Sequence, residues 1–312
     1  MGAPVTGTTR TPPGDHLSDP RRPTRPDVDP GNPDDPRLLV GEREVARYVL
    51  APALDATHGP RPYLHPVRTL AGTAVTDALP ADHVWHLGAS LTVQDVNGTN
   101  LWGGRTYVRG TGYTWREDHG RIRHVDWALR DPDRLEHRLQ WCDRDGGVLL
   151  TERRRLAARA LDDGWVLGLD YTLTAPDDTD VTLGSPATNG RPGGAGYGGF
   201  FWRAVAATPP RVFTALAEGE ERVNGSAEPW VALAGSTAEG AAYTLLFAGL
   251  ADGDRWFVRS SMYPGVCAAF AFDTPRVIPA GASRSGRHRI AVLDGHLDRE
   301  AATALAARLD RP

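Results

Sequence analysis

The sequence contains no lysine: all 35 basic residues are arginine, set against 39 acidic residues and a formal net charge of −4. There is no surplus of positive charge to steer the chain to nucleic acid or an anionic membrane, so neither partner is expected. The missing lysine, with abundant Ala, Gly, Pro and Asp, reads first as the coding bias of a GC-rich bacterial genome. Cysteine is scarce too, with only Cys142 and Cys267. Each lies in an apolar, strand-like run, which predicts buried free thiols, and no CxxC pair is present to hold zinc. No stretch approaches the roughly twenty apolar residues of a membrane helix. The first residues have no apolar core of a signal peptide, so a cytoplasmic protein is the expectation. A GxSxG elbow, a Rossmann fingerprint and the GxxxxGK[ST] phosphate cradle are all missing, which disfavours serine hydrolysis and nicotinamide binding. Spacing singles out no carboxylate pair, and no cofactor is expected. No repeat of 20–50 residues argues for a propeller or solenoid.

What is present is a succession of strand patterns. Leu135, His137, Leu139 and Trp141 alternate with polar residues, Asp145-Gly146-Gly147 turns the chain, and Val148 to Leu156 returns. Trp165, Leu167, Leu169, Tyr171 and Leu173 repeat the period of two. Leu38 to Leu50 reads as two short strands around a Gly-Glu turn. Further strands are expected at Trp230–Ala234, Tyr243–Ala248, Trp256–Ser260, Val266–Phe272 and His288–Leu293. Only the end reads as helix, capped by Asp298, with Ala302, Leu305, Ala306 and Leu309 on one face. Residues 1–35 carry almost no large apolar side chains and are expected to be a disordered arm. Residues 36–312 are expected to form one domain: an all-β fold, a large antiparallel β-sandwich with a short C-terminal helix.

The stretch from Arg61 to Gly110 is the densest in chemistry. His83 and His86 precede a strand, Leu87–Val93, whose alternation predicts one buried face. On that pattern His86 should point to the open face, with Trp85 and Leu87 on the other. An imidazole pair titrating near neutrality can serve as general acid and base or as metal ligands, and Asp82 can orient one ring. A metal would need a third ligand beside His83 and His86, with His65 or Asp95 available. Asp95, Asn97 and Asn100 lie in a turn, followed by Trp102 beside two glycines and Arg105; an indole face next to a guanidinium suits a polyhydroxylated ligand. The Gly-rich segment 183–203 carries Tyr197, Trp202 and Arg203, and Arg259 with Tyr263 forms a third candidate wall. His83, His86 and Arg105 are the candidate catalytic residues. His65, Arg68, Asp95, Asn97, Asn100, Trp102, Tyr197, Trp202, Arg203, Arg259 and Tyr263 are the candidate substrate-binding residues.

RPYLHPVRT at 61–69, DHVWHLG at 82–88, DVNGTNLWGGRTYVRG at 95–110, GSPATNGRPGGAGYGGFFWR at 184–203 and WFVR with YPG at 256–265 resemble the PmoA-like ("methane oxygenase" domain) family of soluble actinobacterial proteins. The resemblance covers about residues 38–295. It implies a galactose-mutarotase-like supersandwich with a wide cleft on one face. It further implies a histidine acid, His86 or His83, with Arg68 or Arg105 on substrate oxygens; Asp95, Glu228 and Asp254 are the open choices for a base. The resulting expectation is an enzyme acting on a sugar-like or carbonyl-bearing small molecule by histidine-driven proton transfer, of epimerase, isomerase or lyase type. The alternatives are a non-catalytic carbohydrate-binding module and a metal-dependent oxygenase using His83 and His86. The expected partner is a small-molecule substrate, and a homodimer is possible.

Overall fold

The computed structural model describes residues 32–309. Most of the expected disordered arm therefore lies outside the described residues. Its last residues do not behave as an arm: Asp35 is buried, and its carboxylate accepts from the Asn32 amide at 2.7 Å and the Leu50 amide at 3.0 Å. The fold thus begins at least a turn before the first apolar strand.

Two antiparallel sheets face each other. One has seven strands, in the order Arg37–Val40, Arg43–Val49, Tyr63–Val67, Ala89–Thr92, Gly199–Arg203, Gly265–Ala269, Arg255–Arg259. The other has eight, in the order Arg211–Phe213, Trp230–Ser236, Ala242–Ala248, Ser283–Asp294, Gly164–Thr174, Val148–Leu161, Arg134–Cys142, Arg121–Arg130. The expected all-β sandwich is what the chain forms. A three-stranded sheet (Arg276–Ile278, Val181–Gly184, Asp95–Val96) and the hairpin of Thr106–Val108 with Gly112–Thr114 are added at the rim.

The period of two dictates the core. Gly164–Thr174 pairs with Ser283–Asp294 so that Trp165 opposes Val292 and Leu167 opposes Ile290. These rows meet Leu91, Trp202, Trp256 and Val258 of the other sheet in one buried cluster. The expected hairpin is present, Arg134–Cys142 pairing with Val148–Leu161. The inward row of Val148–Leu161 is Leu150, Glu152, Arg154, Leu156 and Ala158, all buried or nearly so. Two charges therefore point into the sandwich, where they pair (Arg154 Nε to Glu152 Oε1, 2.7 Å). The C-terminal helix, Arg299–Leu309, has the expected cap, Asp298 Oδ1 accepting from the Ala301 amide at 2.8 Å. Its buried Ala302, Leu305 and Leu309 cover the outward row of the eight-stranded sheet at Val166, Leu246, Ala291 and Leu293.

The seven-stranded sheet positions the candidate site. Phe200, Trp202, Val266, Ala268, Trp256 and Val258 point inward. One step along each strand reverses the direction, so Phe201, Cys267, Ala269 and Phe257 point out and need cover. Loops supply it with Trp102 and Tyr263, and with the half-buried Trp85 and Tyr197. Ala89–Thr92 is consequently buried on both faces, not one. Ser90 accepts from Arg61 Nε at 3.0 Å, and Thr92 donates to the Leu101 carbonyl at 2.7 Å, which satisfies the outward hydroxyls.

Candidate functional site

The aromatic cover holds several of the candidate residues. Residues Asp82 to Leu87 form turns before the strand begins: the His86 amide donates to the His83 carbonyl at 2.8 Å, and the Leu79 amide to the His86 carbonyl at 2.8 Å. The loop is pressed against strand Tyr63–Val67 at Gly88, where φ is 45° and a Cβ would lie 2.2 Å from the Leu64 carbonyl oxygen. Only glycine permits both the conformation and the approach. Because the segment is a turn and not a strand, the alternation expected of His86, Trp85 and Leu87 fails. His86 is 2% exposed, packed edge-on to Trp102 and tilted against Phe201, in the same aromatic layer that Trp85 joins.

His83 sits above His86. The two rings stack at 4.6 Å with an interplanar angle of 13°. His83 Nδ1 lies 2.9 Å from Asp82 Oδ2. Asp82 is gripped in turn by Arg203, whose Nη1 reaches Oδ2 at 3.1 Å and Nη2 reaches Oδ1 at 3.1 Å. Burial would raise the Asp82 pKa, but the His83 hydrogen bond and the Arg203 charge outweigh it and hold the carboxyl well below the usual carboxylate range. Arg203 Nη1 also faces His86 Nδ1 at 3.3 Å. Burial, then the neighbouring His83 and Arg203 charges, push the His86 pKa far below 6.5 and keep this ring neutral. Tyr263 closes the cluster, its ring 4.9 Å from His83 and 5.0 Å from His86, with the Arg203 guanidinium 4.9 Å above it. Burial raises the Tyr263 pKa, leaving a neutral phenol.

The two imidazoles differ in exposure. His83 keeps part of its side chain in solvent (26% exposed) and presents the ring nitrogen that Asp82 does not hold. His86 is a buried support, contrary to its expected catalytic place. The pair does not suit a metal. A ligating nitrogen aims its lone pair in the ring plane at an ion about 2.0–2.1 Å away, and two nearly parallel stacked planes do not converge on one point. Among the described residues no group of three or more His, Cys, Asp or Glu side chains is arranged to hold an ion.

The remaining expected site residues divide. Tyr197 and Tyr263 belong to the aromatic layer, and Arg203 to the Asp82 anchor. Trp102 is 2% exposed, so its face packs against Tyr197 at 4.7 Å and Phe201 at 4.9 Å instead of serving as a sugar platform. Trp202 points the other way, into the sandwich core, and donates its indole N–H to the Val75 carbonyl at 3.0 Å. Asn100 is buried and holds the loop together, accepting from the Trp102 and Gly103 amides at 3.0 and 2.9 Å. Asn97, at φ 49°, exchanges hydrogen bonds with Thr182 and Asp180. Asp95 accepts from Asn189 at 2.9 Å and so pins the Gly-rich loop. Arg259 donates to the Gly194 carbonyl at 3.3 Å and lies over Phe257, fixing the same loop from the other side. Arg68 closes a local turn onto the Gly72 carbonyl, and His65 bonds Thr76 at 3.0 Å. Arg105 lies close enough for its charge to act on Tyr113. Asp254, one of the open choices for a base, is buried elsewhere against Arg284.

Sequence reasoning missed four contributors. Arg61, fully buried, ties three loops by donating to the Gly59, Trp102 and Trp85 carbonyls at 2.7, 3.0 and 3.1 Å. Trp85 seats its ring on Gly104, whose Cβ would come within 2.6 Å of the ring, and its own Cβ against Gly103, at 2.7 Å. The glycines after Trp102 thus make room for an indole of the protein itself. Tyr113 and Arg191 form the far rim: Arg191 Nη1 donates to the Tyr113 hydroxyl, which lies 2.9 Å from the Tyr197 hydroxyl.

The fold and site define a β-sandwich with an Asp82–His83 pair seated in the aromatic cover of one sheet. The chain belongs to the family described as "Family of unknown function (DUF6807)", whose model matches residues 36–307. No curated protein matches it. Among solved structures it is similar to the heparan sulfate lyase HepC of Pedobacter heparinus, at 8% identity and a TM-score of 0.26, over 57% of this chain and 22% of that one. A mutant of the same lyase gives 9% identity at the same TM-score of 0.26. The chain spans about a fifth of that enzyme's length (22%), and a likeness this remote bears on neither mechanism nor substrate.

Proposed function

We propose that the protein is an enzyme that moves protons on a small, oxygen-rich, sugar-like molecule, of isomerase or lyase type, with His83 as the proton-transfer group. The observation that carries this is the Arg203–Asp82–His83 line. A carboxylate that accepts from Nδ1–H fixes the tautomer in which the other nitrogen bears the lone pair, and steadies the imidazolium once a proton arrives. Arg203 prevents Asp82 from turning to solvent, and the stack on His86 fixes the ring plane. The neutral Tyr263 phenol beside His83 can return a proton. In the step itself a C–H or O–H bond of the substrate breaks, its proton passes to His83, and the electron pair stays on the substrate as an enolate or alkoxide. The aromatic rim of Trp85, Tyr197 and Tyr263 suits the C–H faces of a sugar ring.

The test is solvent exchange. Candidate sugars and sugar acids incubated with the protein in D2O should take up deuterium at one position, followed by NMR. His83→Asn and Asp82→Asn should slow exchange by roughly 10²–10⁴-fold, the usual contribution of a positioned acid or base, with melting temperatures within a few degrees of wild type. Binding without any exchange would identify a non-catalytic carbohydrate-binding module instead.

A further inference from the structure

The far rim of the site contains a cation with no anion. Arg203 has Asp82, and Arg259 has Glu220 at 3.7 Å, with Glu220 further held by the Ser260 and Ser261 amides at 2.7 and 3.0 Å. Arg191 differs. Among the described residues it has no carboxylate partner; it donates to the Tyr113 hydroxyl and lies over the Tyr113 ring at 4.8 Å. Its loop does not wave in solvent. Asp95 holds Asn189, and Arg109 holds the Thr188 carbonyl at 3.1 Å, on one side; Arg259 and Asn224 hold the Gly194 carbonyl at 3.3 and 3.1 Å on the other. A half-buried guanidinium is therefore fixed in place without its charge being matched.

The hydroxyls beside it complete a receptor. Tyr113 and Tyr197 lie 2.9 Å apart, so one phenolic proton joins them. The Tyr113 oxygen already accepts from Arg191. Of the two phenolic protons, one is thus left without an acceptor among the described residues. Burial raises both pKa values, more than the Arg191 charge lowers them, so both groups are neutral donors at physiological pH. A fixed guanidinium next to a spare O–H donor matches the two oxygens of a carboxylate. The rim joins the same aromatic layer: Tyr197, whose hydroxyl meets Tyr113, packs on Trp102 at 4.7 Å, and Trp102 meets His86 edge-on at 5.9 Å.

We infer that the substrate carries a carboxylate, seated on Arg191 and the Tyr113–Tyr197 hydroxyl pair, and is a sugar acid rather than a neutral sugar. This rests on the proposed proton-transfer site and names the class of substrate that site would take.

The experiment compares D-glucuronate and D-galacturonate with D-glucose and D-galactose, measuring binding by saturation-transfer NMR and titration calorimetry. Wild-type protein should bind at least one uronate about tenfold to a hundredfold tighter than its neutral counterpart, the span expected for a charge-assisted pair. Arg191→Gln should abolish the difference, Arg191→Lys should restore part of it, and Tyr113→Phe should weaken uronate binding with the melting temperature unchanged. His83→Asn should leave uronate binding intact while exchange slows by roughly 10²–10⁴-fold. Failure to bind either uronate, equal binding of neutral sugars, or full uronate affinity in Arg191→Gln would overturn the inference. Exchange unaffected by His83→Asn would overturn the proton-transfer reading alone.

Discussion

The charge pair inside the sandwich is the feature whose removal can be reasoned through in most detail. Arg154 is almost fully buried, and so is Glu152. Two hydrogen bonds join them, at 2.7 and 2.8 Å. Glu152 also accepts from the Trp141 indole at 2.7 Å, and Arg154 donates to the Tyr48 hydroxyl at 2.9 Å, which lies 3.0 Å from His137 Nε2. Arg154→Met leaves a buried carboxylate without its cation. Breaking such a pair from one side costs about 3–5 kcal/mol, a large part of the roughly 5–15 kcal/mol that holds a domain folded. For a chain of this size that is a fall in melting temperature of roughly 6–10 °C, at about 2 °C per kcal/mol. The double variant Glu152→Gln/Arg154→Met keeps an acceptor for the Trp141 indole and removes both charges. It should lose only about 1–2 kcal/mol, less than Arg154→Met alone. Urea unfolding of the four proteins in the cycle gives the coupling. Additive losses, or an Arg154→Met variant within about 1 kcal/mol of wild type, would refute the claim that the network is dry and mutually dependent.

Gly88→Ala should destabilise by at least about 2 kcal/mol, because its Cβ would collide with the Leu64 carbonyl; Gly41→Ala, at φ 61° with open space around it, should cost only about 1–2 kcal/mol in the same unfolding assay. Cys142 and Cys267 are both buried and free, and burial pushes the Cys267 thiol up to about 12, so a thiol reagent should label the native protein only as fast as it unfolds. Burial depresses His288 from 6.5 to about 4, so its neutral form contributes stability above pH 6.5 that is lost as pH falls toward 4; burial raises Asp254 from 3.8 to about 6, so its protonated form contributes stability below pH 3.8 that is lost as pH rises toward 6. The two slopes oppose each other, each worth about 3 kcal/mol: urea unfolding should show His288→Leu losing stability as pH rises from 4 to 6 and Asp254→Asn losing it as pH falls, and parallel curves for both variants would contradict the assignment.

Much of the fold was legible because the period-two rows are long. Leu135 to Trp141, Trp165 to Leu173 and the 298–309 helix declare their buried faces directly, and the strands formed where those rows lie. Arg121–Arg130 was not legible: two register shifts against Arg134–Cys142 break its alternation, and its edge position leaves it polar. Within the site, the Asp82–His83 contact could be read from adjacency, but the direction of His86 could not, since a turn erases the parity that a strand would impose. Trp202 was misplaced for the same kind of reason: it adjoins Phe201 in a strand, and sequence alone does not say which of two neighbouring aromatics faces the core. Arg61 gave no signal. A lone arginine usually reads as surface, and only three carbonyls converging from separate loops explain its burial.

The location of the site follows from the same packing problem that shaped the fold. A central sheet flanked on one side by its partner still presents an apolar outer face, here Phe201, Phe257 and Cys267. On the eight-stranded sheet a helix solves this at one end with Ala and Leu. On the seven-stranded sheet the cover is made of loops, and loops cannot close an apolar surface without burying their own backbone polar groups. Arg61, Asn100 and Arg203 meet that demand, each bonding backbone or side-chain partners between the aromatics. Once a guanidinium is fixed there, it can hold Asp82, and Asp82 can hold His83. The groups that would move a proton are thus the last links of a chain of contacts whose first purpose is to seal the sheet. Variants early in that chain, such as Arg61→Gln, should lower stability and activity together, whereas His83→Asn at its exposed end should separate them.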